Sequence, residues 1–323
     1  MDQFTERTTE PTSSTITVKQ LGPHAGAEIH GINTADSLSE IDVQTIKDAL
    51  MDHGVIIFRN QDITREQQAK FGAQFGDLTV HPISPHLNEM PEMIVLDNDG
   101  DNPPLATDVW HTDEMFRLDP PMGTILRAII VPRLGGDTIF SSMTAAFEGL
   151  SNQIQSFISG LEAVNDFKNF KRLYGNSPDH RKRLGEMMDR FPNPVHPVVR
   201  IHPVTGKKAL YVSPQFTLAI KGMKLDESDA LLEMLYRQIT IPEYQFRIHW
   251  QENMMAFWDN RTVQHYAARD YLPDRRKMER VTLKGDRPFG PMGKSYSTLD
   301  DDARIDPILE AYQNAPKVRE KPT

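Results

Sequence analysis

The sequence predicts a mainly β protein with flanking helices, of the sandwich or jelly-roll kind. Three observations point there. Past residue 76, short apolar runs of strand length recur, separated by Gly, Pro, Asn and Asp turns. The helical patterns are few and do not alternate regularly with strands, as a parallel α/β sheet would require. Finally, no linker or internal repeat divides the chain, so residues 16–323 are expected to form one domain with a helical insertion at about 145–190.

The elements follow in order. Residues 1–15 are rich in Thr, Ser and Glu and are expected to be a disordered tail. Ile16–Leu21 and Ala27–Ile32 alternate as strands. Ser39–His53 repeats Ile41, Ile46, Ala49 and Leu50 at helical spacing, and Gly54 stops it. Val55–Arg59 is continuously apolar up to its last residue and is expected to be buried on both faces. Thr64 is a plausible N-cap for a helix to Phe75. Strands are then expected at Met93–Leu96, Val109–Phe116, Thr124–Val131, Asp137–Phe140, Val198–Ile201, Ala209–Val212, Phe246–Trp250, Met254–Trp258 and Met278–Leu283. Helices are expected near Ala145–Leu161, Pro178–Asp189 and Ser228–Gln238. The charged stretch Phe167–Arg190 reads as a solvated insertion or a lid.

Composition excludes several classes. The 323 residues contain no cysteine, which removes disulfide frameworks, iron–sulfur clusters and thiol nucleophiles. With 45 acidic and 36 basic side chains, the formal charge of −9 speaks against a nucleic-acid-binding surface. No signal peptide and no apolar stretch of membrane-spanning length is visible, so a cytoplasmic protein is expected. Gly293-Lys294-Ser295 resembles the end of a phosphate loop, but Pro288 stands where the first glycine belongs.

The chemistry-bearing segment is Trp110-His111-Thr112-Asp113-Glu114. On a strand, His111 and Asp113 would share a face and supply two arms of a facial triad for non-haem Fe(II). Alone, such a pair is more often an ordinary hydrogen-bonded couple. A third candidate ligand, His265, lies in a second segment, Trp258-Asp-Asn-Arg-Thr-Val-Gln-His265, followed by Arg276-Lys-Met-Glu-Arg280-Val-Thr-Leu283. There Arg276, Met278, Arg280 and Thr282 share one strand face, and Val281 and Leu283 the other. Two guanidiniums on a core-facing surface suggest a carboxylate site, because the planar fork grips a carboxylate at two points.

These segments, with Gly-Ala-Glu-Ile-His-Gly (residues 26–31), His81-Pro-Ile-Ser-Pro-His86, Gly-Gly-Asp-Thr138 and His196-Pro-Val-Val-Arg200, resemble the taurine/2-oxoglutarate dioxygenase family from about Ile16 to Pro288. The resemblance implies a double-stranded β-helix of the cupin-like jelly-roll type. It implies Fe(II) held by His111, Asp113 and His265. Arg276 with Thr138 would bind the distal carboxylate of the cosubstrate 2-oxoglutarate; Arg280 and Leu126 would also border it. His81, Arg280 and Phe216 would meet a small anionic substrate, taurine or a related sulfonate first. The implied reaction consumes O₂ and yields succinate and CO₂; a homo-oligomer, dimer or tetramer, is the implied assembly.

Two positions depart from the family pattern. Glu114 replaces a small apolar residue; strand alternation would turn it away from the metal, or it pairs with Arg280 or with a substrate ammonium. Ser84 replaces a larger aromatic and would enlarge the pocket, leaving an alkyl sulfate, aryloxyalkanoate or amino-acid-like acid as the alternative substrate. A non-catalytic metal-binding β-helix protein is the contrasting class, and a zinc hydrolase on the same ligands a third.

Overall fold

In a computed structural model, residues 14–82, 86–104, 107–167 and 178–293 are described. The expected tail, residue Ser84, part of the charged insertion and the end of the chain therefore lie largely outside them. The chain opens with the hairpin β1 (Thr17–Gln20) and β2 (Ala27–His30). Helix α1 (Glu40–His53) starts where the Ser39 hydroxyl accepts from the Asp42 amide, and it ends at Gly54, whose φ of 67° favours a residue without a Cβ. It carries the chain to β3 (Val55–Phe58), which pairs parallel to β2, the crossover that a helix makes possible. Helix α2 (Arg65–Ala73) begins in a Thr64–Gln67 capping box. Then come β4 (Leu78–Thr79), β5 (His86–Leu87), β6 (Met90–Asn98), β7 (Gly123–Ile130) and β8 (Thr138–Ser142).

The expected insertion is not helical throughout. The pattern at 145–161 resolves into α3 (Met143–Glu148) and α4 (Asn152–Ile158), because Ser151 caps a new helix after Gly149. A strand, β9 (Glu162–Asn165), follows, then α5 (Pro178–Arg190), β10 (Val195–Pro197), β11 (Val199–Ile201), β12 (Lys208–Leu210) and β13 (Thr217–Ile220). Strand β9 is central to the small sheet β10–β9–β13. Helix α6 (Leu225–Ile239) precedes β14 (Gln245–Ile248), β15 (Met255–Asp259), β16 (Val263–Ala267) and β17 (Arg276–Leu283).

Two layers enclose the cavity. The large sheet runs β1–β2–β3–β15–β7–β17–β6–β5, and the facing sheet β14–β8–β16. Strand alternation divides the large sheet cleanly. Ile56, Phe58, Met255, Phe257, Ile125, Val281 and Leu283 point outward and pack against α1 and α2 through Ile46, Leu50 and Phe71. Val55, Ile57, Ala256, Trp258, Leu126, Ala128 and Met278 point inward and meet Phe140, Ile248 and Val263 of the facing sheet. The apolar run in β3 is thus buried on both sides, as its composition predicts.

A buried polar cluster fastens α2 to the outer face. Glu279 accepts from Arg65 at 2.6 Å and from Arg127 at 2.8 Å, and Gln68 bonds to the carbonyls of Ile125 and Glu279. Arg127 also donates to the Ile63 carbonyl, so each buried charge has a partner. Among the described residues no helix is long and apolar enough to cross a membrane.

Candidate metal centre

The segment expected as the strand Val109–Phe116 is not one. His111 forms an isolated antiparallel bridge with His265, exchanging backbone bonds of 3.0 and 2.7 Å, and the chain then turns through Asp113–Phe116. Glu114 has φ 50°, a left-handed conformation that a strand excludes. The apolar residues that suggested a strand are buried for another reason: Met115 and Phe116 pack from the turn into a cluster with Phe167, Tyr211 and Phe216.

His111 and Asp113 therefore converge through a bridge followed by a turn. The bridge brings the two imidazoles to a centroid distance of 4.1 Å, and the turn swings Asp113 Oδ1 to 3.9 Å from His265 Nε2. One ligand atom from each of His111, Asp113 and His265 lies within 4.8 Å of the others, and all three residues are buried.

The electrostatics suit a cation. His111 Nδ1 lies 2.7 Å from the Val109 carbonyl, an interaction that places the proton on Nδ1 and leaves Nε2 to donate a lone pair. Burial pushes His111 below its usual pKa; burial and the neighbouring His111 push His265 down to about 3. Both rings are neutral at physiological pH. Burial alone would raise Asp113, but Arg280 and the two imidazoles hold it below the usual carboxylate range. Two neutral nitrogens and one carboxylate oxygen form the donor set that suits Fe(II).

Asn260, in the turn between β15 and β16, organises the shell behind Asp113. The Thr124 hydroxyl donates to Asp113 Oδ2 at 2.6 Å, and Asn260 Nδ2 donates to Thr124 at 3.1 Å. Asn260 Oδ1 accepts from Trp258 Nε1 at 2.9 Å and from the Asp113 amide at 3.4 Å. Asn260→Ala is expected to weaken Fe(II) binding by about 10- to 100-fold, read by metal titration of the folded variant. An unchanged affinity would show that the carboxylate holds its place without this shell.

His196 latches the turn from behind. Its Nε2 lies 3.0 Å from the Met115 carbonyl and 2.9 Å from that of Arg117, so Nε2 carries the proton. Burial, aided by Arg200, pushes its pKa down to about 3. Below about pH 6.5 the unfolded chain takes up a proton here that the folded chain refuses until about pH 3. Stability conferred by the neutral ring is thus full above pH 6.5 and declines as pH falls, by up to about 1.4 kcal/mol per pH unit. Replacing His196 with Gln should flatten the slope of unfolding free energy between pH 6 and 4 by one proton; an unaltered slope would refute this.

A cavity of about 380 Å³ adjoins the three ligands and is lined by His81, Glu114, Leu126, Thr138, Phe216, Arg276 and Arg280, together with Tyr271 and the Asn102–Pro104 segment. Arg276 donates from Nε to the Gly136 carbonyl at 2.9 Å, while Nη2 has no hydrogen-bond partner among the described residues. Burial lowers its pKa to about 10, so it remains a cation beside Thr138, whose hydroxyl accepts from Trp250 at 2.9 Å. An unpartnered, buried guanidinium nitrogen beside a hydroxyl fits a cosubstrate carboxylate.

On the other side, Arg280 donates to Asp113 Oδ1 at 3.1 Å. His81 is buried, and burial together with Arg280 and Arg117 holds its pKa well below the usual value. The Phe216 ring meets His111 edge-on at 6.4 Å. Glu114 does not turn away as strand alternation would have it. It lines the cavity, 2.6 Å from Arg117 and 3.8 Å from Arg280, and burial pushes it up to about 7 against those two guanidiniums. Its close partner is Arg117, which neither alternative named, and Arg280 lies farther off, beyond hydrogen-bond reach. Ser84 lies outside the described residues.

The residues that pattern reasoning passed over are Asn260, Thr124 and Tyr271. Only Asn260 left a signal, as an Asn in the turn between two apolar strands. His202 serves the scaffold: it bonds buried Asp259 at 3.1 Å, and Asp259 in turn holds Arg261.

A double-stranded β-helix with this donor set defines a 2-oxoglutarate-dependent non-haem iron dioxygenase, with Fe(II) and 2-oxoglutarate as its cofactors. The family described as taurine catabolism dioxygenase TauD, TfdA matches residues 17–282, and the chain belongs to it. Its relatives include an alkylsulfatase of Acinetobacter baylyi, 33% identical over 93% of this chain and 95% of the relative. A Pseudomonas putida alpha-ketoglutarate-dependent sulfate ester dioxygenase is 33% identical over 90% of this chain and 96% of its own. Among solved structures, a taurine dioxygenase from Burkholderia xenovorans superposes with a TM-score of 0.76 at 36% identity, covering 88% of this chain and 96% of that one.

Proposed function

We propose that this dioxygenase hydroxylates the carbon bearing a sulfonate or sulfate ester, with taurine or a related small sulfonate first and an alkyl sulfate second. The observation that carries the reading is a second guanidinium, Arg280, lining the same cavity as the metal ligands, whose Nε and Nη2 make no hydrogen bond among the described residues, Nη2 lying 3.8 Å from Glu114. The names of the relatives support the sulfur oxyanion class.

In this reading His111, Asp113 and His265 hold the metal, which with 2-oxoglutarate and O₂ supplies an oxidant for an unactivated C–H bond. Arg276 and Thr138 fix the distal carboxylate of 2-oxoglutarate. Arg280 and neutral His81 hold the substrate's oxyanion, so that its carbon rather than its head group faces the metal. Leu126 and Phe216 wall the cavity and keep water from it. Hydroxylation next to sulfur gives R–CH(OH)–SO₃⁻, which loses bisulfite to leave an aldehyde. On a sulfate ester, the corresponding adduct releases bisulfate.

The test is anaerobic titration of the Fe(II)- and 2-oxoglutarate-loaded protein with taurine, longer sulfonates, alkyl sulfates and aryloxy acids. A sulfonate or sulfate ester should shift the metal chromophore and, once O₂ is admitted, release one succinate per aldehyde. A response confined to carboxylates would overturn the substrate class. Metal binding without O₂ consumption would favour a non-catalytic protein.

A further inference from the structure

Glu114 is a carboxylate on the wall that faces the substrate's head group, where an oxyanion would be expected to meet only cations. Its left-handed backbone, φ 50°, carries it into the cavity lining with a side chain 1% exposed. One carboxylate oxygen lies 2.6 Å from Arg117, the other 3.8 Å from Arg280, and Asp113 accepts from Arg280 on the opposite side at 3.1 Å. Arg117 is committed elsewhere, donating to the Val80 carbonyl at 2.8 Å and lying over the Phe191 ring. Asp113 belongs to the metal's donor set, so Arg117 and Arg280 together face the single carboxylate of Glu114, and this wall keeps one net positive charge. It offers a ligand the hydrogen-bonding capacity of Arg280 Nε and Nη2.

A head group with one negative charge can use those N–H groups. A second charge would lie against Glu114 with no unbalanced cation left, since Fe(II) and Arg276, the other guanidinium in the lining, are together balanced by Asp113 and the 2-oxoglutarate dianion. We infer that Glu114 sets the permitted charge of the head group, admitting monoanions such as sulfonates and sulfate monoesters and rejecting dianions of the same shape, phosphate monoesters and phosphonates. This rests on the reading of Arg280 as the oxyanion anchor. Both Glu114 oxygens already face guanidiniums, so the carboxylate is poorly placed to receive a substrate ammonium instead.

The magnitude is large enough to measure. At an effective dielectric of about 20, one extra charge about 5 Å from a carboxylate changes affinity by about two powers of ten. Arg117 offsets part of this, and a selection of about tenfold or more is expected.

The experiment uses the loaded protein at pH 8 without O₂, where a phosphate monoester is a dianion. Hexyl sulfate, hexyl phosphate and the singly charged diester hexyl methyl phosphate are titrated against the metal chromophore. The wild type should bind the sulfate about tenfold or more tighter than the phosphate, with the diester closer to the sulfate. Glu114→Gln should narrow the sulfate-to-phosphate ratio about tenfold by improving phosphate binding. Equal binding of sulfate and phosphate by the wild type, or a ratio unmoved in Glu114→Gln, overturns the charge selection while leaving the anchor intact. If Glu114→Gln does not fold, the diester comparison in the wild type decides. Silence with every probe and with taurine overturns the anchor reading, and this inference with it.

Discussion

His111→Ala is expected to lose tight Fe(II) binding and, with it, substrate-linked succinate release, leaving turnover at background. Three protein ligands are the minimum that the site offers, and removing one leaves an imidazole and a carboxylate that cannot hold the metal in a defined geometry. The fold should survive, because the bridge to His265 is made by backbone atoms, at 3.0 and 2.7 Å, and does not need the ring. The check is metal titration together with a thermal melt. A variant that melts like the wild type and still turns over would end the assignment of the ligand set.

Arg276→Ala is expected to raise the 2-oxoglutarate requirement by two to three orders of magnitude, about 3–4 kcal/mol, with Fe(II) affinity nearly unchanged. The size follows from the setting. The side chain is 8% exposed, and among the described residues no carboxylate pairs with it. A dicarboxylate would be its charge partner, in a place where water competes little. Arg276→Lys should recover only part of the loss, since one ammonium cannot reproduce the two-pronged contact. Steady-state titration of 2-oxoglutarate at saturating metal is the measurement, and an unaltered requirement would place the cosubstrate elsewhere.

The two faces of β17 were legible in the sequence because both obey the two-residue period of a strand: Arg276, Met278 and Arg280 inward, Val281 and Leu283 outward. The burial of β3 was legible for a different reason, its unbroken apolar run. The segment carrying His111 and Asp113 was misread in conformation though not in consequence. Met115 and Phe116 look like strand residues, and nothing local announces that a left-handed Glu114 will fold them into a turn. The error mattered most at Glu114 itself, since alternation turned it from the cavity that it in fact lines. Strand β9 was missed because Glu162–Asn165 is too short to show a period, and its burial comes from the flanking β10 and β13. The role of Asn260 depends on partners far away in the chain, Thr124 among them, which no local pattern can reveal.

The alternation along β17 has a consequence for how this gene can change. The strand shows one set of side chains to the reaction chamber and the other to the helical jacket, where Glu279 clasps Arg65 and Arg127. Deleting or inserting a single codon early in this strand would exchange the two sets, thrusting an acid among the chemistry and stranding an arginine in hydrocarbon. Length variation should therefore be purged from codons 276–283 far more severely than amino-acid replacement, and a library of one-codon deletions scored for soluble expression would show it.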